Sequence, residues 1–377
     1  MSSLIYRAEY ANYSFGENHP FSPLRVRMAL ELLEALGHRV DAIAPEPARR
    51  EDLLSVHDDY YVDHVESLSA GRKVPNAQSY GLDTPDTPAF PGMDEAARWH
   101  VGGTLLGARQ ILEGTAKRVL QLGGGLHHAR RNFASGFCVY NDLAVAIRSL
   151  TRRGLWVAYL DIDVHHGDGV QQILYEDKRV MTISLHESGK YLYPGTGDVH
   201  ELGSGVGRGL KLNVPLEPHT EGESYLEILE AVVPAALRHF GPAVLVVQAG
   251  ADAHYDDQLA DLMLGTRDYE RIFDRILGWA ETFTAGRVLF TLGGGYSLRA
   301  TPRVWALLYL VVNGLPVPKE LPPEWVRRWS HVLGPEPPPE FHDPSPLRVD
   351  IPNRAQIRHR NLQVAHRLLE AARPYWL

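Results

Sequence analysis

The chain of 377 residues contains very little cysteine, with Cys138 as its only one. A lone cysteine cannot close a disulfide within the chain or supply a cysteine-rich zinc site. The sequence therefore predicts a fold without disulfides in a reducing, cytoplasmic compartment. Long apolar runs are also missing, and the first residues lack the apolar segment of a secretory signal, so we expect no membrane association.

An excess of basic residues is absent as well. Lysine and arginine number 38 against 46 aspartates and glutamates, which gives a formal net charge of −8. A nucleic-acid surface requires a basic excess, whereas this balance suits cationic substrates. The chain also lacks a Gly-x-Ser-x-Gly elbow, a P-loop and a His-Glu-x-x-His motif, which excludes three common enzyme classes.

Short apolar runs alternate with helical patterns along the chain. Runs that are apolar almost throughout indicate parallel strands that are covered on both faces. The alternation predicts an α/β fold, a single domain whose central, mostly parallel sheet carries helices on both faces. The predicted strands are 118–122, 155–160, 180–185, 243–247 and 287–292, and the predicted helices cover about 26–36, 94–112, 222–239 and 353–372.

The segment from Pro316 to Pro352 holds 11 of the chain's 26 prolines. Proline fixes φ and removes a backbone donor, so this composition predicts an irregular strap over the surface, without regular helix or strand. The change in composition comes late in the chain. We therefore predict a catalytic domain at 1–315 and an extension at 316–377 that packs on the same domain.

Polar clusters directly follow four of the predicted strands. In open α/β sheets the carboxyl ends of the strands form the ligand crevice, because loops can converge there without disturbing the core. Four clusters at four such ends predict one active site. They are Gly123 to His128, Asp161 to Gly169, Ala249 to Asp252 and Gly293 to Tyr296.

The second of these clusters begins Asp-x-Asp-x-His. On extended backbone alternate side chains point the same way, so Asp161, Asp163 and His165 can share one face. Two carboxylates and an imidazole are costly together unless a cation or hydrogen-bond donors neutralise them. A divalent metal with one position open for water suits this set. A capped turn with a salt-bridge network is the alternative.

The first and last clusters offer groups for acid–base chemistry. His127 and His128 follow three glycines, and a neutral imidazole held by a carboxylate is a suitable base near pH 7. Asp161 and Asp168 are the carboxylates available for that role. Tyr296 can donate its hydroxyl to a developing oxyanion where it points into the same crevice. Taken alone, the histidines are more typical of a turn or a packed side chain, and Tyr296 is more typical of a half-buried tyrosine.

Taken together, these residues resemble the zinc-dependent histone deacetylase superfamily, in its class I-like bacterial branch of acetoin-utilisation deacetylases. The likeness covers roughly residues 5–315, and the motifs stand in the family's order. The segments that carry it are His19-Pro20, Pro23 to Met28, Asp86 to Phe90, Gly124 to Ala129, Ser135 to Cys138, Asp161 to Gly169, Tyr193 to Asp198, Gly250 to Asp252 and Leu292 to Tyr296.

The resemblance implies an arginase/deacetylase-like fold with a metal ion held by Asp163, His165 and Asp252. The expected ion is Zn²⁺, with Fe²⁺ as the alternative, because carboxylate and imidazole ligands serve both. A monovalent cation, K⁺ or Na⁺, is expected beside this metal. The residues implied for the monovalent site are Asp161, Asp163, His165, Ser184 and Leu185.

The resemblance also implies the catalytic groups. His127 pairs with Asp161. His128 pairs with Asp168 and is the general base. Tyr296 supplies the hydroxyl that polarises the carbonyl of the substrate.

A narrow substrate tunnel is implied by the same resemblance. Gly136, Phe137 and Tyr193 would line it, and Leu259 would lie near its mouth. Asp86 would grip the backbone of the substrate at the rim. The resemblance further implies that Arg25 lines an internal path by which acetate leaves.

The implied activity is hydrolysis of acetyl-lysine side chains in proteins. Tyr193 stands where many relatives have phenylalanine, and the segment after Asp252 lacks the arginine common in eukaryotic class I members. Acetylated polyamines or other small acylated amines are therefore the alternative substrates. A catalytically silent acyl-lysine binding module is an alternative of another class.

A binuclear manganese hydrolase of the arginase type is a further rival. Asp252, His254 and Asp256 form the Asp-x-His-x-Asp pattern that such a site uses. The partner motif expected at another strand end is missing, so we expect one divalent ion in each chain. The sequence makes no prediction of oligomeric state.

Overall fold

One sheet organises the chain. The structure is a computed structural model that describes residues 2–347 and 349–376. Its strands are β1 (Ser2–Ile5), β2 (Arg118–Gln121), β3 (Val157–Asp161), β4 (Val180–Glu187), β5 (Lys211–Leu216), β6 (Val244–Gln248) and β7 (Val288–Thr291). Their order in the sheet is β1-β2-β7-β6-β3-β4-β5, and every neighbouring pair is parallel. The predicted α/β fold is confirmed, and the described sheet is parallel throughout.

Helices connect and cover these strands, and the four predicted from sequence are confirmed. No helix among the described residues is both long and apolar enough to cross a membrane. The helices are α1 (Leu24–Ala35), α2 (Arg50–Leu53), α3 (Asp59–Ser69), α4 (Met93–Glu113), α5 (Asp142–Arg152), α6 (Asp168–Ile173), α7 (Gly222–Phe240), α8 (Thr266–Thr284), α9 (Thr301–Val312), α10 (Pro323–Arg328), α11 (Ser330–Leu333) and α12 (Arg354–Ala372).

Both faces of the sheet are buried, which explains the near-continuous apolar strands. In β3, Val157 and Tyr159 pack into a cluster with side chains of α4 and α5. Ala158 and Leu160 of the same strand point the other way, into a larger cluster with side chains of α1, α7, α8, α9 and α12. Alternate residues of one strand therefore serve two cores, as expected for a parallel sheet with helices on both faces.

Two strands were not predicted, and both lie at the edges of the sheet. β1 is only four residues long. β5 reads Lys-Leu-Asn-Val-Pro-Leu, so polar residues and Pro215 interrupt the apolar pattern. Proline is tolerated in a strand at the edge of a sheet, and β5 occupies that position.

The prediction for the proline-rich strap is wrong in two respects. It contains two short helices, α10 and α11, because Pro323 occupies a first helical position, where the missing N–H costs nothing. The strap is also not confined to the surface, since Trp325, Leu333 and Phe341 are buried in the larger core cluster. The boundary between a domain at 1–315 and an extension at 316–377 stays a prediction.

Candidate metal centre and catalytic cleft

Four loops at the carboxyl edge of the sheet bring the predicted site residues together. His127 and His128 follow β2, Asp161 ends β3, Asp252 follows β6 and Tyr296 follows β7. These four strands are neighbours in the order β2-β7-β6-β3. Residues far apart along the chain therefore meet in one cleft.

Asp163, His165 and Asp252 form a buried group of metal-ligand type. One donor atom from each lies within 4.8 Å of the others, and no other such group of three occurs in the described part of the chain. Nδ1 of His165 lies 3.1 Å from a carboxylate oxygen of Asp163 and 3.1 Å from one of Asp252. The backbone N–H of Val164 donates to Asp252 at 2.9 Å, which links the loop after β3 to the loop after β6.

Two donors from other strands hold the carboxylate of Asp163. Its Oδ2 accepts hydrogen bonds from Nε2 of Gln248 at 2.6 Å and from the backbone N–H of Gly294 at 2.8 Å. A Cβ at Gly294 would lie 1.9 Å from an oxygen of Asp252, so only glycine allows the backbone to approach this closely. Sequence reasoning missed Gln248, although its place as the last residue of β6 was a signal.

The charges of this group fit a divalent cation. Burial, and then the charge of Asp163, raise the pKa of Asp252 to about 7. Burial lowers the pKa of His165, but its bonds to Asp163 and Asp252 outweigh that effect and raise the pKa to about 10. Without a metal, protons on the imidazole and on the carboxyl of Asp252 thus offset the negative charge. An ion of charge +2 would do so better while binding all three donors, since ligands bind metals in their deprotonated forms.

Each of the paired histidines is bound to its own aspartate. Nδ1 of His127 lies 2.8 Å from Asp161, and Nδ1 of His128 lies 2.7 Å from Asp168. The two rings are 4.0 Å apart between centroids. All four residues are buried, so Nε2 is the ring atom that each histidine has left for chemistry.

Tyr159 and Arg130 support these aspartates, and sequence reasoning named neither. The hydroxyl of Tyr159 donates to Asp161 at 2.6 Å, and Arg130 pairs with Asp168 at 2.8 Å. Tyr159 precedes Asp161 by two positions in β3 and therefore shares its face. That alternation was a readable signal.

The two histidines differ in protonation. Burial lowers the pKa of His127, but the charges of Asp161 and Asp163 outweigh it and raise the pKa to about 9. Burial, followed by the charge of His127, lowers the pKa of His128 to about 4 despite the bond to Asp168. His128 is therefore neutral near pH 7 and able to accept a proton.

The loop after β7 presents Tyr296 to this group. Burial, and then the negative charges of Asp252 and Asp163, raise the pKa of Tyr296 well above its usual value, so its hydroxyl keeps its hydrogen. The backbone of Tyr296 is held on both sides. Its N–H donates to Asp257 at 2.6 Å, and its carbonyl accepts from the Gln258 side chain at 3.1 Å.

Close contacts also hold the predicted tunnel residues Gly136 and Phe137 in place. A Cβ at Gly136 would lie 2.1 Å from the ring of His128, so glycine lets the backbone pass over that histidine. The N–H of Gly136 donates to Asp86 at 2.7 Å. Phe137 has a φ of +66°, a strained conformation for this residue, and its ring packs 5.7 Å from that of Tyr296.

The outer part of the cleft contains Tyr193, and the place of Leu259 near the mouth stays a prediction. The ring of Tyr193 lies edge-on to His128 at 5.1 Å and to His165 at 6.4 Å, yet 44% of the residue is exposed. An aromatic wall thus runs from solvent down to the buried histidine. Leu259 is half-buried, and its N–H donates to Asp257.

Arg25 lies behind the site, beside a cavity of about 300 Å³. Its guanidinium donates to the carbonyls of Gly293 and Gly295 at 3.2 and 2.7 Å. It also lies 5.5 Å from the ring of Tyr296. A buried cation therefore stands between the cavity and the loop that carries Tyr296.

Ser184 and Leu185 belong to β4 and lie next to the end of β3. Ser184 pairs in register with Asp161, and its hydroxyl lies 2.9 Å from Nδ1 of His186. Both residues are buried. Their role at a monovalent cation stays a prediction.

His254 does not join the metal-ligand group. Its Nε2 lies 2.8 Å from Asp343 in the strap, and the ring is completely buried. The described residues thus contain one group of three metal ligands. They contain no second group of the kind that a binuclear site would need.

Comparison with known proteins gives one consistent result. The sequence profile of the histone deacetylase domain matches residues 19–312. Acetoin utilization protein AcuC of Bacillus subtilis is 41% identical over 378 residues, covering 99% of this chain and 97% of that protein. The protein of the same name from Staphylococcus xylosus is 34% identical, covering 97% of this chain and 96% of that one.

Solved structures agree with this result. The crystal structure of an HDAC homologue complexed with SAHA matches with a TM-score of 0.86 at 27% identity, over 97% of this chain and 99% of that one. An HDAC homologue from Aquifex aeolicus matches with a TM-score of 0.84, also at 27% identity, over 98% and 99% of the two chains.

Proposed function

The chain belongs to the histone deacetylase family, and on that basis we propose that it is a metal-dependent amide hydrolase that removes acetyl groups from acetyl-lysine side chains of proteins. One observation carries the proposal. The group Asp163, His165 and Asp252 lies beside the His128–Asp168 pair and Tyr296, so a Lewis-acid site, a base and a hydroxyl donor share one cleft.

Asp163, His165 and Asp252 would hold the divalent ion. Zn²⁺ is the first expectation and Fe²⁺ the second, since this donor set suits both. When bound, such an ion would supply Lewis acidity that makes water more acidic and, by polarising the acyl oxygen, makes the acyl carbon more electrophilic. Gln248 and Gly294 keep the carboxylate of Asp163 oriented through their hydrogen bonds.

His128 acts as the general base on the attacking water. Asp168 binds its Nδ1, which leaves Nε2 as the acceptor, and its lowered pKa keeps it neutral at pH 7. Arg130 holds the second oxygen of Asp168 and thereby fixes the orientation of this pair. Asp161 lies 2.8 Å from Nδ1 of His127 and favours the protonated ring, so His127 contributes positive charge where an oxyanion forms and assists proton delivery to the departing amine.

Tyr296 donates its hydroxyl to that oxyanion. Because the pKa of Tyr296 is raised well above its usual value, the group is a donor throughout the working pH range. Asp257 and Gln258 bind the backbone of Tyr296 and so set the position of the phenol before substrate arrives, as oxyanion stabilisation requires.

Phe137, Gly136 and Tyr193 would form the walls around the methylene stem of the substrate. Aromatic walls suit that stem, and a neutral acetyl-lysine enters an apolar tunnel more readily than the charged product. Asp86, which is already bound to Gly136, would meet the substrate backbone at the rim, with Leu259 nearby. The cavity beside Arg25 has room for acetate.

Asp161, Asp163, His165, Ser184 and Leu185 would bind a monovalent cation, K⁺ or Na⁺, with a structural role. The register of Asp161 and Ser184 across β3 and β4 supports this assignment. Deacetylation of acetylated polyamines or other small amines is the alternative activity, and silent binding of acyl-lysine is the alternative of another class.

An assay of the metal-free protein reloaded with Zn²⁺ or Fe²⁺ tests the proposal. We expect turnover of acetyl-lysine peptides that requires metal, stops with chelator, and exceeds turnover of acetylated polyamines. SAHA, which the homologue of known structure binds, should inhibit. Asp252→Ala is the inactive control, and loss of stoichiometric metal is expected in it. Faster turnover of the small amines would support the alternative activity, and peptide binding without turnover would support a binding module.

A further inference from the structure

A carboxylate in the strap is buried against the catalytic domain. The side chain of Asp343 is 5% exposed, although it lies beyond residue 312, where the match to the family profile ends. It accepts hydrogen bonds from His254 at 2.8 Å, from Arg303 at 2.9 Å and from the backbone N–H of Thr266 at 2.9 Å. All three partners lie outside the strap.

The imidazole of His254 is held at both nitrogens. Nδ1 accepts the backbone N–H of Asp256 at 3.1 Å, so Nε2 carries the hydrogen that is donated to Asp343. The ring is completely buried and stacks on Tyr255 at 4.6 Å. A buried donor of this kind is costly to leave without its acceptor.

The loop that carries His254 positions both a predicted metal ligand and the predicted oxyanion donor. Residues 252–258, which we name the ligand loop, begin with the predicted metal ligand Asp252. Three residues after His254, Asp257 accepts the backbone N–H groups of Tyr296 and Ser297 at 2.6 and 3.2 Å. One short loop thus positions a ligand donor and the predicted oxyanion donor.

Arg303 ties the strap to the helix that follows Tyr296. Its guanidinium, 2% exposed, donates to the carbonyl of Phe341 at 2.9 Å as well as to Asp343. Burial raises the pKa of Asp343, but His254 and Arg303 outweigh burial and keep it well below its usual value. The carboxylate therefore stays charged, and its removal would leave a buried guanidinium without its counter-charge.

We infer that Asp343 is a positioning residue of this enzyme: by binding His254 and Arg303, it holds the ligand loop so that Asp252 and Tyr296 keep their places in the centre. The strap then completes the site rather than only covering the domain. This inference rests on the proposed function, because it assigns Asp343 a part in metal binding and turnover. Asp343 touches neither substrate nor metal and acts through His254.

Asp343→Asn tests the inference, because it removes the charge at nearly constant volume. We expect the Kd for Zn²⁺, measured against a competing chelator, to rise by about tenfold, the lower range for groups that orient metal ligands. With Zn²⁺ saturating, kcat on an acetyl-lysine peptide should fall by about tenfold while KM stays within about threefold. Val364→Ala is the matched control. It removes buried side-chain volume from α12, which packs on β5 and α7 away from the ligand loop, so it should lower the melting temperature and leave the Kd and kcat unchanged.

His254→Gln supplies an independent variant, since it removes the other partner and leaves the Arg303–Asp343 pair. If both variants act through the same contact, the double variant should raise the Kd for Zn²⁺ by less than the combined effects of His254→Gln and Asp343→Asn. Two results would overturn the inference: a Kd and kcat of Asp343→Asn no different from those of Val364→Ala, or fully additive effects in the double variant. Because the Kd needs no substrate, it tests the strap even if the wild-type chain hydrolyses no acetylated compound, which would refute the proposed function instead.

Discussion

At the scale of single residues, the hydroxyl of Tyr296 carries the sharpest prediction. Tyr296→Phe removes one hydrogen-bond donor to the oxyanion and leaves the three metal ligands intact. We expect kcat on an acetyl-lysine peptide to fall by about 10² to 10³, the usual cost of one such donor, with metal content unchanged by elemental analysis. Tyr309→Phe, on α9 outside the cleft, is the matched control. Unchanged turnover in Tyr296→Phe would show that another group carries the oxyanion.

Sequence reasoning reaches some residues of the site and misses others for a physical reason. The sequence brings His127 and Asp161 into one predicted site because imidazole and carboxylate occur in short clusters at strand ends, whereas their pairing was implied only by the family resemblance. Gln248 and Arg130 are common residue types, and only the folded backbone shows that their side chains point at Asp163 and Asp168. Local patterns predict which groups are present, whereas contacts between distant segments depend on the fold.

At the scale of secondary-structure elements, the apolar pattern predicts the central strands well and the edge strands poorly. β3, β6 and β7 are buried on both faces, and every residue in them except the last is apolar or aromatic. β5 is an edge strand and includes Lys211, which is nevertheless completely buried. From composition alone, a charged residue in a strand is expected to point to solvent. Here the Nζ atom instead donates to the carbonyl of Val180 at 2.6 Å.

Lys211 gives β5 a measurable pH dependence. Burial lowers the pKa of Lys211 from 10.5 to about 7, although the charge of Asp177 opposes this. Between pH 7 and about pH 10 the unfolded chain therefore binds one proton more than the folded chain, so the free energy of unfolding rises with pH. We expect the wild-type chain to gain about 2 kcal/mol relative to Lys211→Met between pH 7 and 9.

Urea unfolding at several pH values measures this difference. Lys178→Met is the control, because Lys178 is exposed, and it should keep the slope of the wild type. Parallel curves for the wild type and Lys211→Met would contradict the prediction, since they would mean that the ammonium keeps its proton throughout.

At the scale of the whole molecule, the buried carboxylates couple stability to metal binding. Asp163 and Asp252 repel each other inside the fold, and a ligand that binds only the folded state stabilises it by mass action, by about 2.7 kcal/mol at a hundred times its Kd. Zn²⁺ should therefore raise the melting temperature and chelator should reverse the rise. Asp252→Asn should abolish the response, whereas Asp274→Asn, an exposed aspartate on α8, should keep it. A melting temperature insensitive to Zn²⁺ in the wild type would argue against these ligands.

The strap shows where composition misleads at this scale. Its prolines predict no regular helix, yet α10 and α11 form there. They also do not indicate exposure, because tryptophan and phenylalanine side chains between them reach the core. Proline restricts the backbone, and burial is decided by the side chains that the backbone presents.

The predicted catalytic residues and metal ligands begin at His127 and end at Tyr296, and Asp343 follows still later. A polypeptide emerging from the ribosome thus has no complete centre until most of its length has been synthesised. Cleavage by a protease between these positions would likewise separate groups that must act together. Nascent chains and proteolytic fragments of this enzyme should be inert toward acetylated partners.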